Sequence, residues 1–211
     1  MSESSNRPAQ SATHPRHGTA VQASYDVIAI ASSAGGLAAL TTVLSGIPSD
    51  LPVVILVVQH LDPRHRSLMA EILSRRVALS VQQAAGGETI EPGTVYIAPP
   101  DKHLLANADR TLSLTQSELV HFVRPSADLL FESVAAAFRE RAIGVVLTGS
   151  GSDGAIGVKA IKKMGGTVIA QDERTSQFFA MPSAAIGTGQ VDFVLPLEEM
   201  APALSSLVVG A

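Results

Sequence analysis

The sequence predicts an α/β domain: a single doubly wound, mostly parallel sheet flanked by helices, with one β-hairpin excursion. Two observations carry that reading. Apolar runs of strand length alternate with stretches whose leucines recur at helical spacing. The best of these runs, such as Leu51-Pro-Val-Val-Ile-Leu-Val-Val, are apolar without interruption, as strands covered on both faces are.

Residues 1–24 are rich in Ser, Pro, Gln, Ala and Thr, have no apolar periodicity, and read as a flexible polar leader; His14 and His17 fall in it as solvated tail residues. From Asp26 the order is strand, turn, helix. Asp26–Ser33 is a strand stopped by Ala34-Gly35-Gly36, and Leu37, Leu40 and Leu44 then mark a helix closed by Gly46 and Pro48. The strand 51–58 runs into Gln59-His60, and Leu68, Met69, Ile72 and Leu73 mark a second helix. Val77–Val81 and Thr94–Ile97 read as strands. His103–Ala106 and Thr111–Thr115 flank Asn107-Ala-Asp-Arg110 as a hairpin. Ser126 is placed to cap a long helix carrying Leu129, Leu130, Val134, Ala137 and Phe138. The strand 142–148 follows, then a helix with Ile156, Ala160, Ile161 and Met164 ending at Gly165-Gly166. Strands at Thr167–Ala170 and Val191–Leu195 precede a short final helix. The domain is thus expected over 25–205, with 206–211 a C-terminal tail.

Composition excludes several classes of function. The chain has 211 residues, 46% of them hydrophobic, enough for one good core. No apolar run approaches membrane-spanning length, and the N-terminus lacks a secretory pattern. With no cysteine there is neither a disulfide framework nor a thiolate nucleophile, which suits the cytoplasm. A net charge of −4, no tryptophan and only 4% aromatic residues argue against nucleic acid as a partner.

Three strands end in different polar side chains: Ser33, His60 and Asp153. A parallel sheet collects its carboxyl ends along one reactive edge, so a hydroxyl, an imidazole and a carboxylate can meet there as an acyl-transfer triad. Ser33 before a helix is also what an ordinary N-cap looks like. Gly35-Gly36 and the helix N-terminus behind it favour a nucleophile beside an oxyanion site. Ser32, one residue earlier, points to the other strand face and is the rival nucleophile. His60, Asp62 and His65 lie in one turn-like segment without ligand spacing, so no metal is expected. Gly149-Ser-Gly-Ser-Asp-Gly154 matches the G-x-G-x-x-G dinucleotide fingerprint, with Asp172 near the ribose-binding position. A carboxylate at 153 would crowd a pyrophosphate, and the same glycines hold a turn that presents Asp153 to an imidazole. Both readings stand on the residues alone.

Ser33-Ala-Gly-Gly36, Gln59-His60, Arg124-Pro-Ser-Ala-Asp-Leu-Leu-Phe131 and Leu147-Thr-Gly-Ser-Gly-Ser-Asp-Gly154 resemble, in order, landmarks of chemotaxis protein-glutamate methylesterase catalytic domains. Ala170-Gln-Asp-Glu173 and Met181-Pro-Ser-Ala-Ala185 resemble two more, so the likeness covers roughly 26–195. The resemblance implies a doubly wound α/β fold and a serine hydrolase that demethylates glutamyl esters on chemoreceptor cytoplasmic helices; some members also deamidate glutamines. It assigns the nucleophile to Ser33, the base to His60 and the orienting acid to Asp153. The Ala34 and Ser150 N–H groups would then receive the oxyanion, and no metal or organic cofactor is needed. Departures are Ala34 for a common threonine, Ser150 for a common methionine, and a polar leader where better-known members carry a receiver domain. His60-Leu-Asp-Pro-Arg-His-Arg-Ser67 resembles variants fused to a methyltransferase, so the expected partners include a separate regulator or methyltransferase. The alternative is a dinucleotide-binding module or a catalytically silent scaffold.

Overall fold

The computed structural model describes residues 24–61 and 66–210; the leader, except Ser24, and Asp62 and His65 lie outside them. The strands are β1 (Val27–Ser32), β2 (Val54–Gln59), β3 (Ser80–Gln83), β4 (Thr94–Ile97), β5 (His103–Ala106), β6 (Leu112–Thr115), β7 (Ala142–Val146), β8 (Thr167–Gln171) and β9 (Phe193–Leu195). The helices are α1 (Gly36–Ser45), α2 (Met69–Ser74), α3 (Ala127–Phe138), α4 (Ala155–Lys163), α5 (Ala180–Gly187) and α6 (Leu197–Val209). Seven strands form one sheet in the order β3-β4-β2-β1-β7-β8-β9, every pairing parallel, while β5 and β6 make a separate antiparallel hairpin. The predicted α/β class, the parallel sheet and the hairpin are therefore observed.

Both sheet faces are covered, and strand alternation sorts the core. Val27, Ala29 and Ala31 face a layer built from Leu130, Phe131 and Val134 of α3, Val158 and Ile161 of α4, and the hairpin's Leu104 and Leu112. Ile28 and Ile30 face the opposite layer, with Leu40 and Leu44 of α1, Met69 and Leu73 of α2, and Met200 and Leu204 of α6. Each buried Val, Leu, Ile, Phe or Met side chain among these contributes roughly 1.5–3 kcal/mol relative to exposure. β1 lies between β2 and β7, with β2, β4 and β3 on one side and β7, β8 and β9 on the other. That central switch point is where a doubly wound sheet opens a crevice at its carboxyl edge.

Four local expectations need correction. The strand expected at Val77–Val81 is β3, Ser80–Gln83; Leu79 enters the core before the strand begins, and the edge strand's own side chains are mostly exposed. The final helix is not short: α6 runs 13 residues, and Val208 is fully buried. The packed chain thus passes residue 205, where the tail was expected to start. Helix α5 was not expected at all, because its run of Ala, Met, Pro and Ser carries no clear helical period. Ser126 does stand at the N-cap of α3, but its hydroxyl does not cap the helix.

Candidate active site

Strand register brings the three candidate side chains to one place. Ser32 pairs with Gln59 at the ends of β1 and β2, and the His60 N–H donates to the Ser32 carbonyl at 3.1 Å. The Ser33 N–H donates to the Thr148 carbonyl at 3.0 Å, so the ladder continues past β7 as well. Alternation then sends Ser32 and Gln59 toward α1, and Ser33 and His60 toward α3. Ser32 is fully buried and donates its hydroxyl to Gln59 Oε1 at 2.7 Å. The Gln59 amide nitrogen donates to the Ser33 carbonyl at 2.7 Å and to the His60 carbonyl at 3.0 Å. One buried amide therefore ties together the backbones of both candidate residues. Gly36 makes room for it, since a Cβ there would lie 1.9 Å from Gln59 Oε1.

His60 Nε2 lies 2.8 Å from Asp153 Oδ2, with the imidazole 12% exposed and Asp153 buried. The carboxylate also accepts the Ala127 N–H at 2.6 Å, the Asp128 N–H at 3.1 Å and the Ser126 hydroxyl at 2.9 Å. Asp153, not Ser126, therefore satisfies the N-terminus of α3. Burial pushes the Asp153 carboxyl up, but bonds from His60, Ala127 and Asp128 outweigh it and hold it below the usual carboxylate range. An ionised Asp153 keeps the proton on Nε2 and leaves His60 Nδ1 as the acceptor.

Among the described residues the Ser33 hydroxyl makes no hydrogen bond, to His60 or to any other group. Nor does it cap α1, whose N-cap is Gly35 in the left-handed region. It lines a groove of about 460 Å³ with Gly35, Leu37, Gln59, Leu61 and Met69. His60 lines an adjoining cleft of about 150 Å³ with Leu61, Asp101, Leu119, Phe122 and Arg124. Serine–imidazole bonds of this kind commonly close only around substrate. The Ala34 and Ser150 N–H groups donate to no described acceptor. The loop carrying Ser150 comes close to Ser33, because a Cβ on the preceding Gly149 would stand 2.8 Å from the Ser33 Cβ.

The dinucleotide alternative finds no support in this geometry. A pyrophosphate needs the free N–H groups at the start of the helix after the glycine loop. Here the Gly154 and Gly157 N–H groups donate to Asp128 Oδ1, at 2.9 and 2.7 Å. Asp172 is occupied too: its Oδ1 accepts the Thr175 N–H and hydroxyl at 3.0 and 2.5 Å. Burial pushes the Asp128 carboxyl above its ordinary range, and the Asp153 charge adds to the rise.

Sequence reasoning gave Ser126 only a helix-capping role and assigned none to Gln59, Asp128 or His103. Asp128 stood out only within a family landmark, and His103 only as a strand start. Nothing local in the sequence shows that these residues bond to the carboxyl edge of strands far along the chain.

Residues 28–204 match the family described as CheB methylesterase. A Moorella thermoacetica protein named protein-glutamate methylesterase/protein-glutamine glutaminase is 43% identical over 190 residues, which cover 88% of this chain and 45% of that protein. One from Rhizobium meliloti, of the same name and of group 3 operon, is 42% identical over 184 residues, 87% of this chain and 52% of its own. The chain thus spans about half the length of these relatives. The crystal structure of the Thermotoga maritima CheB methylesterase catalytic domain superposes with a TM-score of 0.84 at 37% identity, covering 88% of this chain and 100% of that one.

Proposed function

The chain belongs to the CheB methylesterase family, and on that premise we propose that it hydrolyses glutamyl methyl esters on chemoreceptor cytoplasmic helices, releasing methanol. The observation that carries the proposal is the 2.8 Å bond between His60 Nε2 and Asp153 Oδ2, made beside Ser33 at the meeting of three adjacent strand ends.

In this reading His60 Nδ1 takes the Ser33 hydroxyl proton as Oγ attacks the ester carbonyl. Asp153 stabilises the imidazolium through Nε2–H. The Ala34 and Ser150 N–H groups receive the oxyanion, where each donor is worth about 10²–10³ in rate. Collapse of the tetrahedral intermediate breaks the C–OMe bond, and the imidazolium proton leaves with methanol. Water, deprotonated by His60, then attacks the acyl-serine, and Ser33 regains its proton. A glutamine side chain entering the same site would give the same acyl-enzyme with loss of ammonia, as the double name of the relatives suggests. Action on receptor cytoplasmic helices places the work in the cytoplasm, with a separate regulator or methyltransferase as further partner. No helix among the described residues is long and apolar enough to cross a membrane.

The test is methanol release from methylated chemoreceptor by the wild-type chain, with Ser33→Ala and Ser32→Ala beside it. Release abolished by the first substitution alone supports the reading. Release that survives Ser33→Ala, or none from the wild type, rejects it.

A further inference from the structure

His103 opens the hairpin, 43 residues beyond His60 in sequence, and it alone of the described histidines is fully buried. Both of its ring nitrogens are committed. Nδ1 accepts the Ser126 backbone N–H at 3.1 Å, so it carries no proton. Nε2 lies 3.0 Å from the Glu118 carbonyl oxygen, which can only accept, so Nε2 carries one. The two bonds define a neutral ring in a single tautomer.

Each bond leads to the candidate active site. Beyond Nδ1, the Ser126 hydroxyl donates to Asp153 Oδ1 at 2.9 Å, and the next two N–H groups of α3 donate to the same carboxylate. Asp153 in turn holds His60 Nε2. Beyond Nε2, Glu118 belongs to the loop whose Leu119, Phe122 and Arg124 line the cleft beside His60. Arg124 is itself clamped, with Nε and Nη2 donating to Asp101 Oδ1 at 2.9 and 2.6 Å.

We infer that His103 is a positioning residue for ester hydrolysis: its neutral imidazole sets the donors that hold Asp153, and through Asp153 the orientation of His60, while locking the cleft wall in register with them. This rests on the reading of His60 and Asp153 as base and orienting acid. Protonation of His103 would turn Nδ1 into a donor facing the Ser126 N–H and break the chain at its first link. Burial opposes that protonation and holds the His103 pKa below its ordinary value; the Glu118 carbonyl favours the proton, Arg124 disfavours it, and Asp153 and Asp101 favour it.

The experiment uses His103→Gln, whose amide can both accept and donate, and His103→Leu, which can do neither. Steady-state demethylation of receptor is measured together with the proton NMR resonance of His60 Nε2–H as a function of pH. His103→Leu is expected to lower kcat about 10- to 100-fold with KM little changed, and to shift or broaden the Nε2–H signal. His103→Gln should restore most of kcat and keep the signal to lower pH than the wild type does. Wild-type kcat and an unmoved signal in folded His103→Leu overturn the inference. Should that variant fail to fold, a wild-type signal that ignores the titration of His103 overturns it equally. The two readings fail separately. A wild type without esterase activity, in which His103 variants still move the His60 signal, rejects the proposed reaction and leaves the positioning intact.

Discussion

Asp153 and Asp128 cap each other's helices. Asp153, in the turn before α4, accepts the Ala127 and Asp128 N–H groups at the start of α3. Asp128, in the first turn of α3, accepts the Gly154 and Gly157 N–H groups at the start of α4. Two orphaned helix starts are thereby satisfied across one contact, and the acid of the candidate triad is fixed by the exchange. The geometry costs electrostatic energy, because two carboxylates are buried side by side.

Asp128→Asn should separate the hydrogen bonds from the charge. Asparagine keeps an Oδ1 acceptor for Gly154 and Gly157 and removes a buried carboxyl whose ionisation burial disfavours. We expect stability unchanged or raised, with activity retained. Asp128→Ala removes the acceptor and should cost about 2 kcal/mol. Urea denaturation of the two variants decides it, and equal destabilisation by both would show that charge, not capping, is what Asp128 supplies.

Ser33→Ala and Ser32→Ala should have opposite profiles. The first should lose several orders of magnitude in turnover with its fold intact, since the Ser33 hydroxyl bonds to no described residue. The second leaves Gln59 Oε1 buried without its donor and should lose about 1–3 kcal/mol of stability, with activity within about tenfold of wild type. Paired thermal melts and methanol assays read both.

The contrast between Ser33 and His103 shows how far the sequence could carry the site. Ser33, His60 and Asp153 each end an apolar strand run, so the periodicity that predicts the sheet also predicts that they share its carboxyl edge. Twofold strand alternation showed only that Ser32 and Ser33 face opposite sides of the sheet; the choice of Ser33 came from the family resemblance. His103 was not, since its partners lie in a loop and a helix start that no local pattern connects. Asp128 was hidden for a different reason: an acidic residue in a first helical turn is ordinary, and only the packing of α3 against α4 turns it toward a second helix. Helix α5 escaped because it buries Met181, Pro182 and Ala185 without an amphipathic stripe.

Gln59→Leu should lower the proposed activity without altering Ser33, His60 or Asp153. Leucine of similar size leaves the Ser33 and His60 carbonyls without their shared donor and the Ser32 hydroxyl without its acceptor. The expected cost is about 2–4 kcal/mol, with kcat reduced more than KM because the relative placement of Ser33 and His60 is loosened. Kinetics well below the melting point should show this. A stability loss alone, with kcat unchanged, would mean that the strand register suffices to place the two residues.

Acid should destabilise the fold in two separable stages. The folded His103 pKa lies below its ordinary 6.5, so the unfolded chain binds its proton first. Its contribution is complete above about pH 6.5 and is lost as pH falls toward the folded value. Asp153 is likewise held below its ordinary 3.8, so its contribution is present above that value and lost as pH falls through the folded pKa. Asp128 works in the opposite direction: raised above 3.8, it favours the fold while protonated and loses that contribution as pH rises. Urea melts from pH 7.5 to 3 should therefore show a decline in wild type that starts below about pH 6.5 and resumes near the bottom of the range. His103→Gln should remove the first decline and Asp153→Asn should reduce the second, to which Asp26 and Asp172, also held below 3.8, contribute, while Asp128→Asn should steepen the net fall between them. If His103→Gln declines in parallel with wild type below pH 6.5, the ring is not held neutral by the bonds to Ser126 and Glu118, and the early loss must come from another group.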